Sequence, residues 1–83
     1  MNTTIRELLS KLGNLPVAVD QLADDADLYT AGLSSFASVQ LMLGLEDAFD
    51  IEFPDNLLNR KSFASIAAIE TTVEQIIAAR KVA

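Results

Sequence analysis

A pair of adjacent serines, Ser34 and Ser35, offers the most specific chemistry in this sequence. The chain has no histidine and no cysteine, so it lacks the commonest general base, the commonest metal ligand and any thiolate nucleophile. A serine without a histidine, and without a lysine plausibly placed as a base, is not a catalytic nucleophile. Glu46 and Asp50 have the i, i+4 spacing of a helix, but an exposed pair of carboxylates is a poor acid–base centre. A serine at a helix start can instead carry a phosphate, because the first-turn amides and the helix dipole stabilise negative charge there.

A second group of acids, Asp24, Asp25 and Asp27, has some of the character of a calcium loop. The spacing does not fit an EF-hand, because Tyr29 and Thr30 occupy positions where that loop needs an oxygen ligand and a glycine. We therefore predict that these acids are solvated loop charges and that the chain has no metal site.

The net charge is −6, and no basic residue lies between Lys11 and Arg60. That interval contains nine acids: Asp20, Asp24, Asp25, Asp27, Glu46, Asp47, Asp50, Glu52 and Asp55. Such a surface repels nucleic acid and anionic membranes, and it attracts a basic protein partner. Composition alone is equally compatible with a solvated surface that only keeps the protein soluble. No apolar run approaches the ~20 residues of a membrane span, and the N-terminus lacks a signal core, so we expect a cytoplasmic protein.

The length supports one domain, residues 1–83. We predict an all-α fold with three main helices, one short helix and a long first loop. The first helix is expected to begin at Thr4, which has the capping-box spacing to Glu7, and to end at Gly13-Asn14.

Residues 14–33 form the long loop, with a short helical turn expected from Val19 to Ala23. Its apolar residues are predicted to hold it to the core: Leu15, Val17, Leu22, Leu28, Tyr29 and Leu33. A short helix is expected from Pro54 to Arg60, with Leu57 and Leu58 turned inward. Ser62 is predicted to cap the last helix, whose buried stripe comprises Ile66, Ile69, Val73, Ile76 and Ile77.

The second main helix is predicted to begin at the serine pair, with Ser34 as the N-cap and Ser35 at the first helical position. Its core face comprises Leu41, Met42, Leu45 and Phe49. A different sector carries three apolar residues, Phe36, Val39 and Leu43, together with three acids, Glu46, Asp47 and Asp50. This combination predicts a docking surface for a basic, apolar partner. The alternative is that one or two of the apolar residues rest against neighbouring loops.

Three segments resemble the acyl carrier protein family. They are Asp27-Leu28-Tyr29, the stretch from Gly32 to Phe36 (GLSSF), and the stretch from Leu45 to Pro54 (LEDAFDIEFP). The family has a Gly-x-Asp-Ser-Leu core and a Leu-Glu-x-x-Phe-x-Ile-x-x-Pro helix exit, and the resemblance extends from about Ile5 to Val73.

The resemblance implies a monomeric, non-catalytic four-helix carrier. Its Ser35 would receive 4′-phosphopantetheine from coenzyme A through a phosphopantetheinyl transferase that requires magnesium. The thiol of that arm would carry an acyl or aminoacyl group as a thioester between partner enzymes. The family's usual contact face corresponds to the sector of Phe36, Val39 and Leu43. The motif places the modified residue directly before the Leu/Phe position, which is Ser35 rather than Ser34.

Three departures from the family pattern favour a specialised carrier over the fatty-acid carrier. Ser34 replaces the family's aspartate, Phe36 replaces a leucine, and the stretch from Ala37 to Gln40 is neutral where acids are frequent. The segment is also similar to stand-alone bacterial aminoacyl carriers, which are charged by ligases that look like truncated class II seryl-tRNA synthetases. The competing hypothesis is an acidic helical interaction module without a prosthetic group, in which both serines only cap the helix. That hypothesis explains neither the second serine nor the helix exit.

Overall fold

The computed structural model describes residues 1–82, and Ala83 lies outside the described residues. The described part is all-helical, as predicted. Its helices are α1 (Asn2–Leu12), α2 (Leu28–Ala31), α3 (Ser35–Phe49) and α4 (Ile66–Val82), with 3-10 turns at Val19–Gln21, Asp55–Leu57 and Arg60–Phe63. None of the helices in this part of the chain combines the length and apolar character needed to cross a membrane.

Helix α1 begins at Asn2, two residues before the predicted start. The predicted capping box is wrong: Thr4 lies inside the helix, and the Asn2 side chain accepts a hydrogen bond from Arg6 Nε at 2.8 Å. This i, i+4 side-chain bond supports the first turn in place of the capping box. The end of the helix is as predicted, with Gly13 as the C-cap and Asn14 in the left-handed region at φ 51°.

The long helices α1, α3 and α4 enclose the core. The predicted stripe of α4 is confirmed, with Ile66, Ile69, Val73 and Ile76 buried and Ile77 half-buried. Leu41 and Leu45 on α3 are fully buried, whereas Met42 and Phe49 are half-buried at the edge of the core. Helix α3 approaches α1 closely at Gly44, where a Cβ atom would lie 2.7 Å from Leu12 Cδ1.

The long loop is held to the core by its own apolar residues, as predicted, with two corrections. Leu28 and Leu33 are buried, but Val17 is 45% exposed and does not hold the loop. Val19, which was not among the predicted core residues, is buried within the 3-10 turn. Helix α2 was also not predicted, since four residues are too few to produce a periodic pattern.

Polar contacts fix the same loop to α1 and α4. Arg6 donates to Asp24 Oδ1 at 2.6 Å and to the Val19 carbonyl at 2.8 Å, and Asn2 donates to Asp24 at 3.0 Å. Hydrogen bonds from Asn2 and Arg6 lower the pKa of Asp24. The Asp24 carbonyl accepts from the Ala67 amide at 2.8 Å. Asp24 is exposed, as expected of a solvated loop charge, and its carboxylate and carbonyl also hold the loop to α1 and α4.

The short helix predicted from Pro54 to Arg60 is replaced by two separate 3-10 turns. Asn59 causes the break: its backbone is extended (φ −140°, ψ 165°), and its side chain accepts from the Ser62 amide at 3.0 Å to cap the second turn. Leu58 consequently points outward and is 44% exposed, instead of turning inward.

The predicted cap of the last helix is also wrong. Ser62 is buried within the 3-10 turn Arg60–Phe63. Ser65 takes the capping position, and its hydroxyl accepts from the Ala68 amide at 3.0 Å.

Candidate functional site: the start and exposed face of helix α3

The serine pair is positioned by helix α2 and the turn that follows it. Asp27 caps α2 by accepting from the amides of Thr30 at 3.3 Å and Tyr29 at 2.9 Å. These hydrogen bonds, led by that of Thr30, lower the pKa of Asp27, and the positive charge of Arg60 contributes. Like Asp24, Asp27 is exposed, as predicted, and has a structural role as well, because it caps α2.

The turn from α2 into α3 requires glycine. Gly32 has φ +120°, and a Cβ atom there would lie 2.7 Å from Pro16 Cδ. The Leu33 amide donates back to the Leu28 carbonyl at 2.9 Å, which closes the end of α2. This turn sets the direction in which the chain enters the serine pair.

The two serines have different roles in the structure. Ser34 is the N-cap of α3, as predicted, and its hydroxyl accepts from the Ala37 amide at 3.0 Å. Ser35 is the first residue of α3 and is exposed. Its hydroxyl makes no hydrogen bond to any other residue described by the structure. The hydroxyl of Ser35 is therefore free to be modified, whereas that of Ser34 stabilises the helix.

A groove of about 420 Å³ runs beside Ser35, between α2, α3 and residues 58–63. Its lining comprises Tyr29, Ser35, Ser38, Val39, Met42, Leu58, Asn59, Arg60 and Phe63. The first turn of α3 contains no acidic residue. A phosphate ester on the Ser35 hydroxyl would therefore lie at the amide end of α3 without carboxylate repulsion from that turn. The residues present fit a 4′-phosphopantetheine arm that leaves Ser35 along a mostly apolar groove.

Sequence reasoning missed several residues of this groove. The sequence predicts that Tyr29 holds the loop to the core and that Leu58 points inward, and no role is predicted for Arg60. These residues are brought to Ser35 by tertiary contacts. One sequence signal was available for Arg60, because it is the first basic residue after the long acidic interval.

The predicted apolar sector of α3 is exposed. Phe36 is 75% exposed, Val39 51% and Leu43 50%, so none of the three is covered by a neighbouring loop. Leu58 extends this apolar surface across the groove, since it and Val39 both line that groove.

The three acids predicted on this face divide into two kinds. Glu46 is half-buried, and its carboxylate accepts from the Phe53 amide at 2.9 Å, which ties the chain to α3 as it leaves the helix. Asp47 and Asp50 are exposed. Asp50 ends the helix with a left-handed backbone (φ 53°), and its carbonyl accepts from Arg80. Among the described residues, no cluster of acids is arranged to hold a metal ion.

Comparison with known proteins identifies the family of this chain. Residues 3–73 match the family described as "Phosphopantetheine attachment site". Over all 83 residues, and over the full length of both chains, the sequence is 72% identical to the "Aminoacyl carrier protein" of Agrobacterium fabrum.

Among the solved structures similar to this chain are two complexes of a glycine:[carrier protein] ligase with a carrier protein. One is an engineered Bradyrhizobium japonicum glycine:[carrier protein] ligase complexed with a carrier protein from Agrobacterium tumefaciens and AMP. The match has 78% identity and a TM-score of 0.88, and it covers 89% of this chain and 99% of the matched chain. The other is the B. japonicum glycine:[carrier protein] ligase complexed with glycylated carrier protein. Here the identity is 30% and the TM-score 0.74, with 86% of this chain and 95% of the matched chain covered.

The family match spans most of the chain, and the full-length relative shows the group within the family. Proteins of this family are non-catalytic carriers with a covalently attached 4′-phosphopantetheine. The chain therefore belongs to the phosphopantetheine-binding carrier protein family, in its aminoacyl carrier protein group.

Proposed function

We propose that this protein carries an amino acid on a 4′-phosphopantetheine arm attached to Ser35. An amino acid:carrier protein ligase would load the amino acid, and downstream acyl-transfer enzymes would receive it. The attachment site is inferred from a difference between two exposed serines: the Ser34 hydroxyl accepts a hydrogen bond as the cap of α3, whereas the Ser35 hydroxyl makes none to the described residues. The aminoacyl cargo is supported by the 72% identity to a protein named as an aminoacyl carrier. The chain would act as a monomer and a single domain, residues 1–83, in the cytoplasm.

The protein's own residues position the arm. The terminal thiol of 4′-phosphopantetheine supplies the atom that forms a thioester with the cargo. The first-turn amides of α3 that the Ser34 cap leaves free would stabilise a phosphate at Ser35, and the cap, which accepts from the Ala37 amide, keeps that turn intact. A phosphopantetheinyl transferase would attach the arm, since the chain itself has no histidine or cysteine to activate the serine.

We propose that the exposed face of α3 is the docking surface for the ligase and the transferase. Phe36, Val39 and Leu43 provide an apolar strip on that face. The exposed carboxylates of Asp47 and Asp50 provide negative charge at its C-terminal end. Glu46 adds to the charge, although its hydrogen bond to the Phe53 amide gives it a structural role as well. A partner with a basic rim around an apolar groove fits this surface.

Intact-mass spectrometry after incubation with coenzyme A, magnesium and a transferase tests the attachment site. Wild type and Ser34→Ala should each gain about 340 Da, the mass of the arm, and Ser35→Ala should gain nothing. Ser34→Ala should also lose about 1 kcal/mol of unfolding free energy, because it removes the helix cap. Retained labelling of Ser35→Ala would move the site to Ser34. An unmodified wild type would favour the acidic interaction module.

A further inference from the structure

Arg60 holds a free cationic group beside the modification site. It opens the 3-10 turn Arg60–Phe63, and its guanidinium carbon lies 3.9 Å from the centroid of the Tyr29 ring. Within the described residues, no carboxylate pairs with Arg60 inside 4.0 Å, and its N–H groups donate no hydrogen bond. The side chain is thus held by stacking, while its donors remain available.

The two sides of this stack are each fixed by a cap. Tyr29 lies in the first turn of α2, where its amide is held by Asp27 at 2.9 Å. Arg60 follows Asn59, which caps the 3-10 turn through the Ser62 amide at 3.0 Å. Local hydrogen bonds therefore hold the backbone on both sides of the stack, and the contact with the Tyr29 ring holds the guanidinium itself. Less ordering of this side chain is then needed when an anion binds.

Arg60 and Ser35 line the same groove. The surroundings on the α3 side are neutral, because the first turn of α3 has no acid and Ser34 precedes Ser35. Asp27 is the competing anion, but its carboxylate already accepts from the amides of Tyr29 and Thr30. A negative charge added at Ser35 would thus lie in the same groove as one cationic side chain, that of Arg60.

We propose that Arg60, held on the Tyr29 ring, binds the phosphodiester that joins the arm to Ser35 and so positions the arm along the groove. A guanidinium suits this role, because its planar set of N–H donors can contact two phosphate oxygens at once. The proposal rests on the proposed attachment at Ser35. In this role Arg60, which lies outside α3, contacts the arm and not the partner enzyme.

Nuclear magnetic resonance of the modified protein tests this role. Intact mass first establishes that the arm is attached, so a failure of the proposed function is recognised before Arg60 is examined. The Arg60 Nε–H signal is then compared between unmodified and modified wild type. The ³¹P signal is compared between modified wild type, Arg60→Ala and Lys61→Ala, each against the same protein in urea. Lys61→Ala is the matched control, because it removes one positive charge from the next residue, which lines a different cavity.

Attachment should shift the Arg60 Nε–H signal of the wild type, and high salt should reduce that shift. The ³¹P signal of Arg60→Ala should lose most of its difference from the urea-unfolded reference, whereas Lys61→Ala should keep it. An Arg60 signal that does not respond to attachment would overturn the proposal, and this readout needs no variant. Equal ³¹P effects of Arg60→Ala and Lys61→Ala would also overturn it, since they would show only a general charge effect.

Discussion

Phe36 is the residue at which the docking surface should be most sensitive to substitution. A fully covered aromatic side chain buries roughly 150–250 Å². Because Phe36 is 75% exposed in the free protein, docking can cover about 110–190 Å² of it. At about 25 cal/mol per Å² this corresponds to an upper limit of about 3–5 kcal/mol. Ordering and desolvation at the interface reduce that gain, so we expect Phe36→Ala to lose about 2 kcal/mol, or about 30-fold in Kd.

The assay is calorimetric titration of the modified protein against an amino acid:carrier protein ligase. A matched pair of valines provides the control, because Val39 on α3 and Val17 in the long loop are 51% and 45% exposed. Val39→Ala removes methyl groups that are half-exposed in the free protein and would be covered on docking, so it should weaken binding about fourfold. Val17→Ala should leave binding unchanged. All three variants should unfold within about 0.5 kcal/mol of wild type. Binding of Phe36→Ala within about twofold of wild type, or equal effects of the two valine variants, would refute the assignment of this surface.

Three further predictions concern charge, backbone and pH. Asp47→Lys should slow association with the ligase and reduce its salt dependence in stopped-flow measurements, and an unchanged rate at low salt would contradict docking on this face. Gly32→Ala should lose about 2–4 kcal/mol of unfolding free energy, measured in urea, because φ is +120° and the new Cβ would meet the Pro16 ring. A loss below about 1 kcal/mol would contradict this prediction. Hydrogen bonds from Asn2 and Arg6 lower the pKa of Asp24 in the folded protein below its usual value of 3.8. The ionised Asp24 carboxylate therefore stabilises the fold above pH 3.8, and this stabilisation is lost as the pH falls through the folded pKa. Unfolding free energies measured across this acidic range should decline less steeply in Asp24→Asn than in Asp25→Asn, and parallel curves would contradict the prediction.

The features that could be predicted from the sequence are those set by local chemistry. Ser34 caps α3 because a hydroxyl before an apolar helix satisfies a first-turn amide, and the exposure of Ser35 follows from its position after that cap. The apolar stripe of α4 has the helical period over several turns, so it too was predictable. The exposed strip headed by Phe36 followed from the same period, since a helix with one buried face must expose the opposite one.

The features that escaped prediction depend on contacts between distant residues or on competition between caps. Helix α2 forms because Asp27 caps it, although its four residues leave no periodic signal. Leu58 faces outward because Asn59 caps a new turn and breaks the expected helix. The stack of Arg60 on Tyr29 joins two elements that are far apart in the chain. The groove beside Ser35 is built from these three features, so the sequence indicated the proposed attachment residue but not its surroundings.

Fragment-ion mass spectrometry of the wild-type protein, after treatment with transferase, magnesium and coenzyme A, tests the central claim most directly. Cleavage of the backbone between Ser34 and Ser35 separates the two candidate hydroxyls. We predict that the fragments beginning at Ser35 carry the whole added mass and that those ending at Ser34 carry none. The added mass on fragments ending at Ser34, or a protein without added mass, would contradict the account.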